Sequence, residues 1–155
     1  MSVVEVPFQT VTLENVENIM PVVEAELNGH PIRLVVDTGA SHTCLDKSMV
    51  KKYAAAELHS EHSSFGNSAS SKDTVMGLGG RRLSHALYTL DTLSIGGLKL
   101  ESYTVVAVRM SNINKMLKWV GQESIAGLLG CDVLQAHKAC MDFERQVIRF
   151  QSDIH

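Results

Sequence analysis

Hydrophobic positions along the chain fall into short runs that alternate with polar residues or are cut by glycine, the pattern of β-strands rather than of long helices. Ile19 to Leu27 and Ile32 to Val36 read as two strands joined by Asn28-Gly29-His30-Pro31, where Asn-Gly supplies the positive φ angles of a tight hairpin. The second strand, Ile32-Arg33-Leu34-Val35-Val36, is β-branched and mostly apolar, so burial is expected, and it runs straight into Asp37. From Asp46 to Leu58 the pattern becomes helical, with Asp46 placed to cap the N-terminus and Met49, Val50, Tyr53 and Ala54 on one face. His59 to Asp73 is rich in serine and short of apolar residues, and is expected to be a mobile loop. Thr74-Val75-Met76, the turn-like Gly77-Leu78-Gly79-Gly80 and an alternating stretch to Ile95 follow, and Gly96-Gly97 closes a hairpin into Leu98 to Val108. Ser111 to Trp119 reads as a short helix capped by Ser111, and Ala126 to Leu129 as a short buried strand. Gly130-Cys131-Asp132-Val133-Leu134 opens another helix, and Met141 to Phe143 with Val147 to Phe150 form a last hairpin around Glu144-Arg145-Gln146.

Many short strands, frequent glycine turns and brief helices predict a mainly β protein, a barrel or a sandwich, with residues 1–155 in a single domain. A content of 45 % hydrophobic against 20 % charged residues is enough to build a core without metal or disulfide staples. The formal net charge of −3 and the lack of a dense basic block argue against a nucleic-acid platform; Lys51-Lys52 and Arg81-Arg82 read as solvated surface pairs. No apolar run approaches the roughly 20 residues that span a bilayer, so no membrane partner is expected. Met1-Ser2-Val3-Val4-Glu5 has no basic region of the kind that opens a secretory signal. Together with three cysteines, Cys44, Cys131 and Cys140, an odd number without a paired framework, this points to a reducing, cytoplasmic setting.

The candidate chemistry centres on Val35-Val36-Asp37-Thr38-Gly39-Ala40-Ser41. An apolar strand ending in Asp-Thr-Gly delivers a carboxylate to the floor of a cleft. Gly39, lacking a Cβ, lets the backbone turn sharply and approach a partner closely, and the Thr38 hydroxyl can donate and accept at once. The tripeptide alone also suits an ordinary strand-ending turn. Its context is more telling, because Ile125-Ala126-Gly127-Leu128-Leu129-Gly130-Cys131-Asp132-Val133-Leu134 follows much later.

This ordered pair of motifs resembles the retropepsin-like aspartic proteases, the single-domain branch of the pepsin clan, over roughly Val22 to Phe150. The resemblance implies a closed β-barrel with a flap hairpin and one to three short helices. It implies that Asp37 is the catalytic carboxylate, that Thr38 grips the matching loop of a second copy, and that Gly39 exchanges backbone hydrogen bonds with a bound peptide. Ala40 completes that loop, and Met76, Gly77, Leu78 and Gly79 fall where the flap would close over substrate. Leu128, Leu129, Gly130 and Asp132 would form the supporting motif beneath the loop, Asp132 being structural rather than catalytic. No cofactor or metal is implied. The chain departs from many viral members at Ser41 and Cys131, where those members carry an acid and an arginine that pair. Both partners are missing together, so no lone buried charge remains, and the dimer must be held some other way. The flap segment also lacks an obvious aromatic at its tip.

Acid–base hydrolysis of this kind needs two carboxylates sharing a proton, and no second Asp-Thr/Ser-Gly occurs: Asp73-Thr74-Val75 and Asp91-Thr92-Leu93 lack the glycine. A homodimer placing Asp37 opposite its symmetry mate would supply the missing half. The leading expectation is an endopeptidase for peptide or protein segments in extended form. The main rival is a module of the same fold that binds peptides or mediates dimerisation with little or no hydrolysis, and the weakest is a metal-dependent hydrolase built on the histidines. His59-x-x-His62 and His137-x-x-Cys140 lack further ligands at zinc spacing and read as a solvated loop and a packed helix end. Cys44 reads as a small buried residue, and Ser41-His42 as neighbours whose side chains point apart. Gly77 to Gly80 lacks the Lys-Ser/Thr of a phosphate loop, while Met110, Met116 and Trp119 read as core or interface.

Overall fold

The computed structural model describes residues 2–12, 19–53, 86–119 and 121–152. Among these residues lie the strands β1 (Val3–Thr12), β2 (Ile19–Leu27), β3 (His30–Val36), β4 (Cys44–Asp46), β5 (Ala86–Ile95), β6 (Leu98–Val108), β7 (Gly127–Leu129), β8 (Cys140–Asp142) and β9 (Val147–Gln151). Helices α1 (Lys47–Tyr53), α2 (Ser111–Trp119) and α3 (Cys131–Ala136) connect them. Pairing runs β3-β7-β4-β6-β5-β2, and β2 also pairs with β3, so six strands close into a barrel. The mainly β barrel with short helices expected from the sequence is therefore the observed architecture, and no helix among the described residues is long and apolar enough to cross a membrane.

The β2–β3 hairpin turns at Asn28 and Gly29, whose φ angles of 48° and 82° are the positive values this turn demands. Asn28 adds side-chain bonds, accepting from the Thr92 amide at 3.0 Å and donating to the Tyr53 carbonyl at 3.2 Å, which ties the hairpin to β5 and to α1. Val50 of α1 is fully buried, with Met49 and Tyr53 partly buried beside it, as the helical spacing predicts; Ala54 to Leu58 lie outside the described residues.

Two apolar clusters explain why the central strands lack a clean inside–outside alternation. Ile32, Leu34 and Val36 of β3 face one cluster and Val35 faces the other. The same split divides Leu129 from Leu128 in β7, Leu45 from Cys44 in β4, and Val105 and Ala107 from Val106 and Val108 in β6. Strands covered on both faces read as continuous apolar runs, and the run before Asp37 is continuous for this reason. The second cluster is closed by Met110, Leu117 and Ile125, with Ile113 packed against it, so α2 roofs that side.

Several elements differ from expectation. β1 was not anticipated: its residues Phe8 to Thr12 pair with β2, whereas Val3 to Pro7 pair with β9, and proline sits where the strand changes partner. β4 is a three-residue strand hidden in the run between the Asp-Thr-Gly turn and α1. α2 spans the expected residues, but its first carbonyl comes from Met110, which accepts from the Asn114 amide at 3.0 Å. Met110 is buried, while Met116 and Trp119 are exposed on α2, Trp119 at 92 %. The serine-rich stretch His59 to Asp73 and the flap expectation, including Met76, Gly77, Leu78 and Gly79, lie outside the described residues.

Gly127 shows how tightly β7 is wedged between β3 and β4. A Cβ there would stand 2.0 Å from the Cys44 carbonyl oxygen and 2.9 Å from a Leu45 methyl. Gly127→Ala must force β4 from β7, and a destabilisation of about 3 kcal/mol is expected, the upper range for overpacking a core. Urea denaturation measures it; a loss below about 1 kcal/mol would show that the strands yield easily.

Candidate active site

The Asp37 amide donates to the Leu129 carbonyl at 3.0 Å, carrying the parallel β3–β7 ladder one residue past the strand. The chain then turns. The Ala40 amide donates to the Asp37 carbonyl at 3.2 Å, and the Gly39 amide donates to Asp37 Oδ1 at 2.8 Å. The carboxylate is thereby held by its own loop in an Asx-type turn. A Cβ on Gly39 would sit 3.1 Å from that same oxygen, so a side chain there would crowd the carboxylate.

The loop is pinned from beneath by the first residue of α3. The Cys131 amide donates to the Ala40 carbonyl at 2.8 Å and the Cys131 thiol to the Thr38 carbonyl at 3.1 Å. Ala40 is buried, Asp37 is partly exposed, and Thr38 and Gly39 are exposed. Ser41 and His42 sit in a bend rather than a strand, so their side chains meet: Ser41 Oγ lies 2.9 Å from His42 Nδ1. The expectation that they point apart, in a strand or a turn, fails because this bend brings the Ser41 hydroxyl back to the neighbouring ring.

Behind the bend the chain passes so close to Gly130 that a Cβ there would stand 2.5 Å from the His42 carbonyl carbon. Such close passage strands buried polar groups, and Thr43 and Asp132 satisfy them. Thr43, with no exposed surface, accepts from the Gly130 amide at 3.1 Å through its hydroxyl. The same hydroxyl donates to Asp132 Oδ1 at 2.8 Å, and the Thr43 amide donates to that oxygen at 2.9 Å. Asp132 Oδ2 accepts from the Tyr103 hydroxyl of β6 at 2.7 Å. Three donors on one carboxylate suit its ionised form, since a carboxylate accepts at both oxygens.

Burial, then the hydrogen bond to Asp132 and its charge, push the Tyr103 hydroxyl well above the usual tyrosine range. Cys44 is pushed up to about 11, first by burial and then by the negative charges of Asp132 and Asp37.

The structure thus brings Asp37, Thr38, Gly39 and Ala40 into one loop, with Leu129, Gly130 and Asp132 directly beneath and Leu128 in the second cluster beside them. Sequence reasoning passed over Thr43 and Tyr103. Thr43 lies only six residues after Asp37, at the junction of the polar Ser41-His42 and the apolar Cys44-Leu45, and nothing local marks Tyr103. The loosely spaced His137 and Cys140 have other contacts, His137 Nδ1 lying 2.9 Å from the Gln151 carbonyl oxygen and Cys140 Sγ 3.5 Å from Arg149 Nη2. His59 and His62 lie outside the described residues.

Residues 23–133 match the aspartyl protease family, and the chain belongs to that family. No curated protein matches it in sequence. Its fold is shared with solved retropepsin-like structures. A retropepsin-like aspartic protease from Rickettsia conorii superposes with a TM-score of 0.52 at 16 % identity, over 96 % of this chain and 89 % of that one. The retroviral protease-like domain of Ddi1 from Leishmania major gives 0.52 at 10 % identity, over 83 % and 86 %. EIAV protease, solved with the inhibitor HBY-793, gives 0.51 at 18 % identity, over 86 % and 100 %.

Replacing Asp132 separates acceptor geometry from charge. In Asp132→Ala three donors lose their acceptor, two of them on buried Thr43, and a loss of about 3 kcal/mol is expected by urea denaturation. Asp132→Asn keeps one oxygen for Thr43 and lets the Tyr103 hydroxyl rotate to accept, so it should stay within about 1 kcal/mol of the parent. Equal losses in the two variants would show that charge, not acceptor geometry, holds this corner.

A second test uses pH. The folded Cys44 thiol ionises at about 11 against an ordinary 9.0, so above pH 9 the unfolded chain loses that proton first. Stability from Cys44 is complete below pH 9 and is lost as pH rises toward 11, with Tyr103 adding in the same direction. Urea midpoints at pH 8 and 10.5 should fall in the parent and fall less in Cys44→Ala; parallel declines would rule out this linkage.

Proposed function

We propose that the chain is an aspartic endopeptidase that works as a two-fold homodimer and cleaves peptide segments held in extended form. The observation that supports it is the setting of Asp37: a carboxylate at the end of a strand buried on both faces, fixed at Oδ1 by the Gly39 amide at 2.8 Å, beside exposed Thr38 and Gly39. The chain carries one Asp-Thr-Gly, and a second copy brings the second carboxylate. Two carboxylates at sharing distance hold one proton between them, and their titration belongs to the pair. The ionised member takes a proton from water as the water oxygen attacks the scissile carbonyl carbon, while the protonated member gives its proton to the carbonyl oxygen. The tetrahedral diol collapses with a proton passed to the amide nitrogen, the C–N bond breaks, and the shared proton is restored. Thr38 meets its counterpart across the two-fold axis, and the Gly39 backbone, without a Cβ, lies against the peptide.

Asp37→Asn tests this reading. Asn keeps size and one acceptor for the Gly39 amide, so fold and dimer should persist, yet it cannot share the proton. Turnover of a peptide selected by library digestion across pH 3 to 8 should fall by at least about 10²–10⁴-fold, the usual worth of general acid–base assistance. Sedimentation equilibrium should find a dimer for both proteins. Near-parental turnover by Asp37→Asn, or full activity from a strictly monomeric parent, would defeat the proposal.

A further inference from the structure

β7 is three residues long, yet it supplies the carbonyl that holds the Asp37 amide. A strand so short cannot set its own position through ladder bonds alone, and its approach is fixed instead by a closed ring of hydrogen bonds. Asn114 of α2 accepts from the Ile125 amide at 2.8 Å and donates to the Ile125 carbonyl at 2.9 Å. At the next residue the Ala126 amide donates to the Arg33 carbonyl at 2.7 Å, and the Ala126 carbonyl accepts from the Asp46 amide at 2.6 Å. The Asp46 carboxylate then accepts from the Met110 amide at 2.9 Å, and the Met110 carbonyl accepts from the Asn114 amide at 3.0 Å, which closes the ring.

Each side chain in this ring has a chemical reason to be what it is. Pairing one residue's amide and carbonyl together needs a group with both an acceptor and a donor at a fixed spacing, which Asn offers and Asp, Ala and Leu do not. Asp46 is 8 % exposed, so its carboxylate needs donors: Met110 provides one to Oδ1, and the Ser48 hydroxyl binds Oδ2. The apolar contacts agree, since Leu117 and Ile125 lie in the cluster that also holds Ala40 of the Asp37 loop and Cys44 of β4. Helix α2 is thus joined to the loop by polar bonds through Ile125 and by packing through Leu117.

We infer that Asn114 is a positioning residue for Asp37: through Ile125 it fixes the register of β7 and so the carboxylate's place opposite its mate. The link to catalysis rests on the endopeptidase reading; the link to the Asp37 backbone does not. A displacement near 1 Å at reacting groups costs about 10²-fold in rate, so a brace remote from the carboxylate still has leverage.

The experiment compares the parent, Asn114→Ala and Asn112→Ala, the last altering an exposed residue of the same helix. Amide hydrogen exchange is read first because it needs no activity. In Asn114→Ala the Ile125 and Asp37 amides should exchange roughly tenfold faster, while Val6 and Ile148 in the β1–β9 pairing keep parental protection. With a responsive peptide, kcat should fall about 10- to 100-fold with KM within about twofold, and the two limbs of the rate–pH profile should draw together as the carboxylates separate. Asn112→Ala should match the parent in every readout. Parental protection of Asp37 once Ile125 is exposed, or an unchanged kcat and pH profile in an active dimer, overturns the inference. If the parent itself cleaves nothing, the endopeptidase reading has failed and the exchange data alone decide the positioning role. Should Asn114→Ala not fold, Asn114→Asp, which keeps the acceptor for the Ile125 amide but sets an anionic oxygen against its carbonyl, answers the same question with the same expected directions.

Discussion

Two stretches of backbone, residues 42–44 and 127–130, meet behind Asp37 with no side chain between them at the glycines, and the rest of the site depends on that contact. Residues 42–43 pass over Gly130, and Cys44 passes over Gly127, at separations that exclude even a methyl group. Such an approach buries amides and carbonyls beyond the reach of solvent, where each unpaired group costs about 1–3 kcal/mol. The Thr43 hydroxyl, which donates and accepts, and the Asp132 carboxylate, which only accepts, resolve the accounting between them. Neither residue lies in the Asp37 loop, yet both hold the backbone against which that loop rests.

The two apolar clusters give this corner its stiffness. A strand with one wet face can twist or slip toward solvent, but β3 and β7 have packed side chains on both faces and their local register is accordingly narrow. Rigidity of this kind favours acid–base chemistry, where the reacting carboxylate must already stand where the transition state requires it. The Gly39 amide on Asp37 Oδ1 completes the arrangement from the solvent side.

Much of this was legible in the sequence, for physical reasons that differ from place to place. The Asn28-Gly29 hairpin, the apolar run into Asp37 and the pairing of the two motifs follow from turn chemistry, burial and motif order, all of which are local. β1 was hidden because it belongs to two sheets: its pairing partners, Ile19 to Val23 and Val147 to Gln151, are far apart in the chain. β4 was hidden because three residues carry no period. Tyr103 and Asn114 were missed because their meaning lies entirely in contacts with Asp132 and Ile125, across 29 and 11 residues. The adjacent Ser41 and His42 misled in the opposite sense, since alternation holds only where backbone is extended.

The pairing of β1 with β9 sets how the molecule bears load. Val3 lies opposite Gln151, and the Ser152 amide bonds the Ser2 carbonyl at 3.0 Å, so both strands leave the sheet at one corner. Tension applied at residues 2 and 152 therefore peels the ladder like a zipper, meeting one bond at a time instead of the whole row in shear. The tear runs to Pro7 and Val147, where β1 crosses to β2, and the six closed strands that hold Asp37 begin only beyond that point. Opening that ladder is not free for the barrel, because Val6, Ile148 and Phe150 lie in the same apolar cluster as Leu27, Leu34 and Leu129, so the outer strands double as the lid of its core.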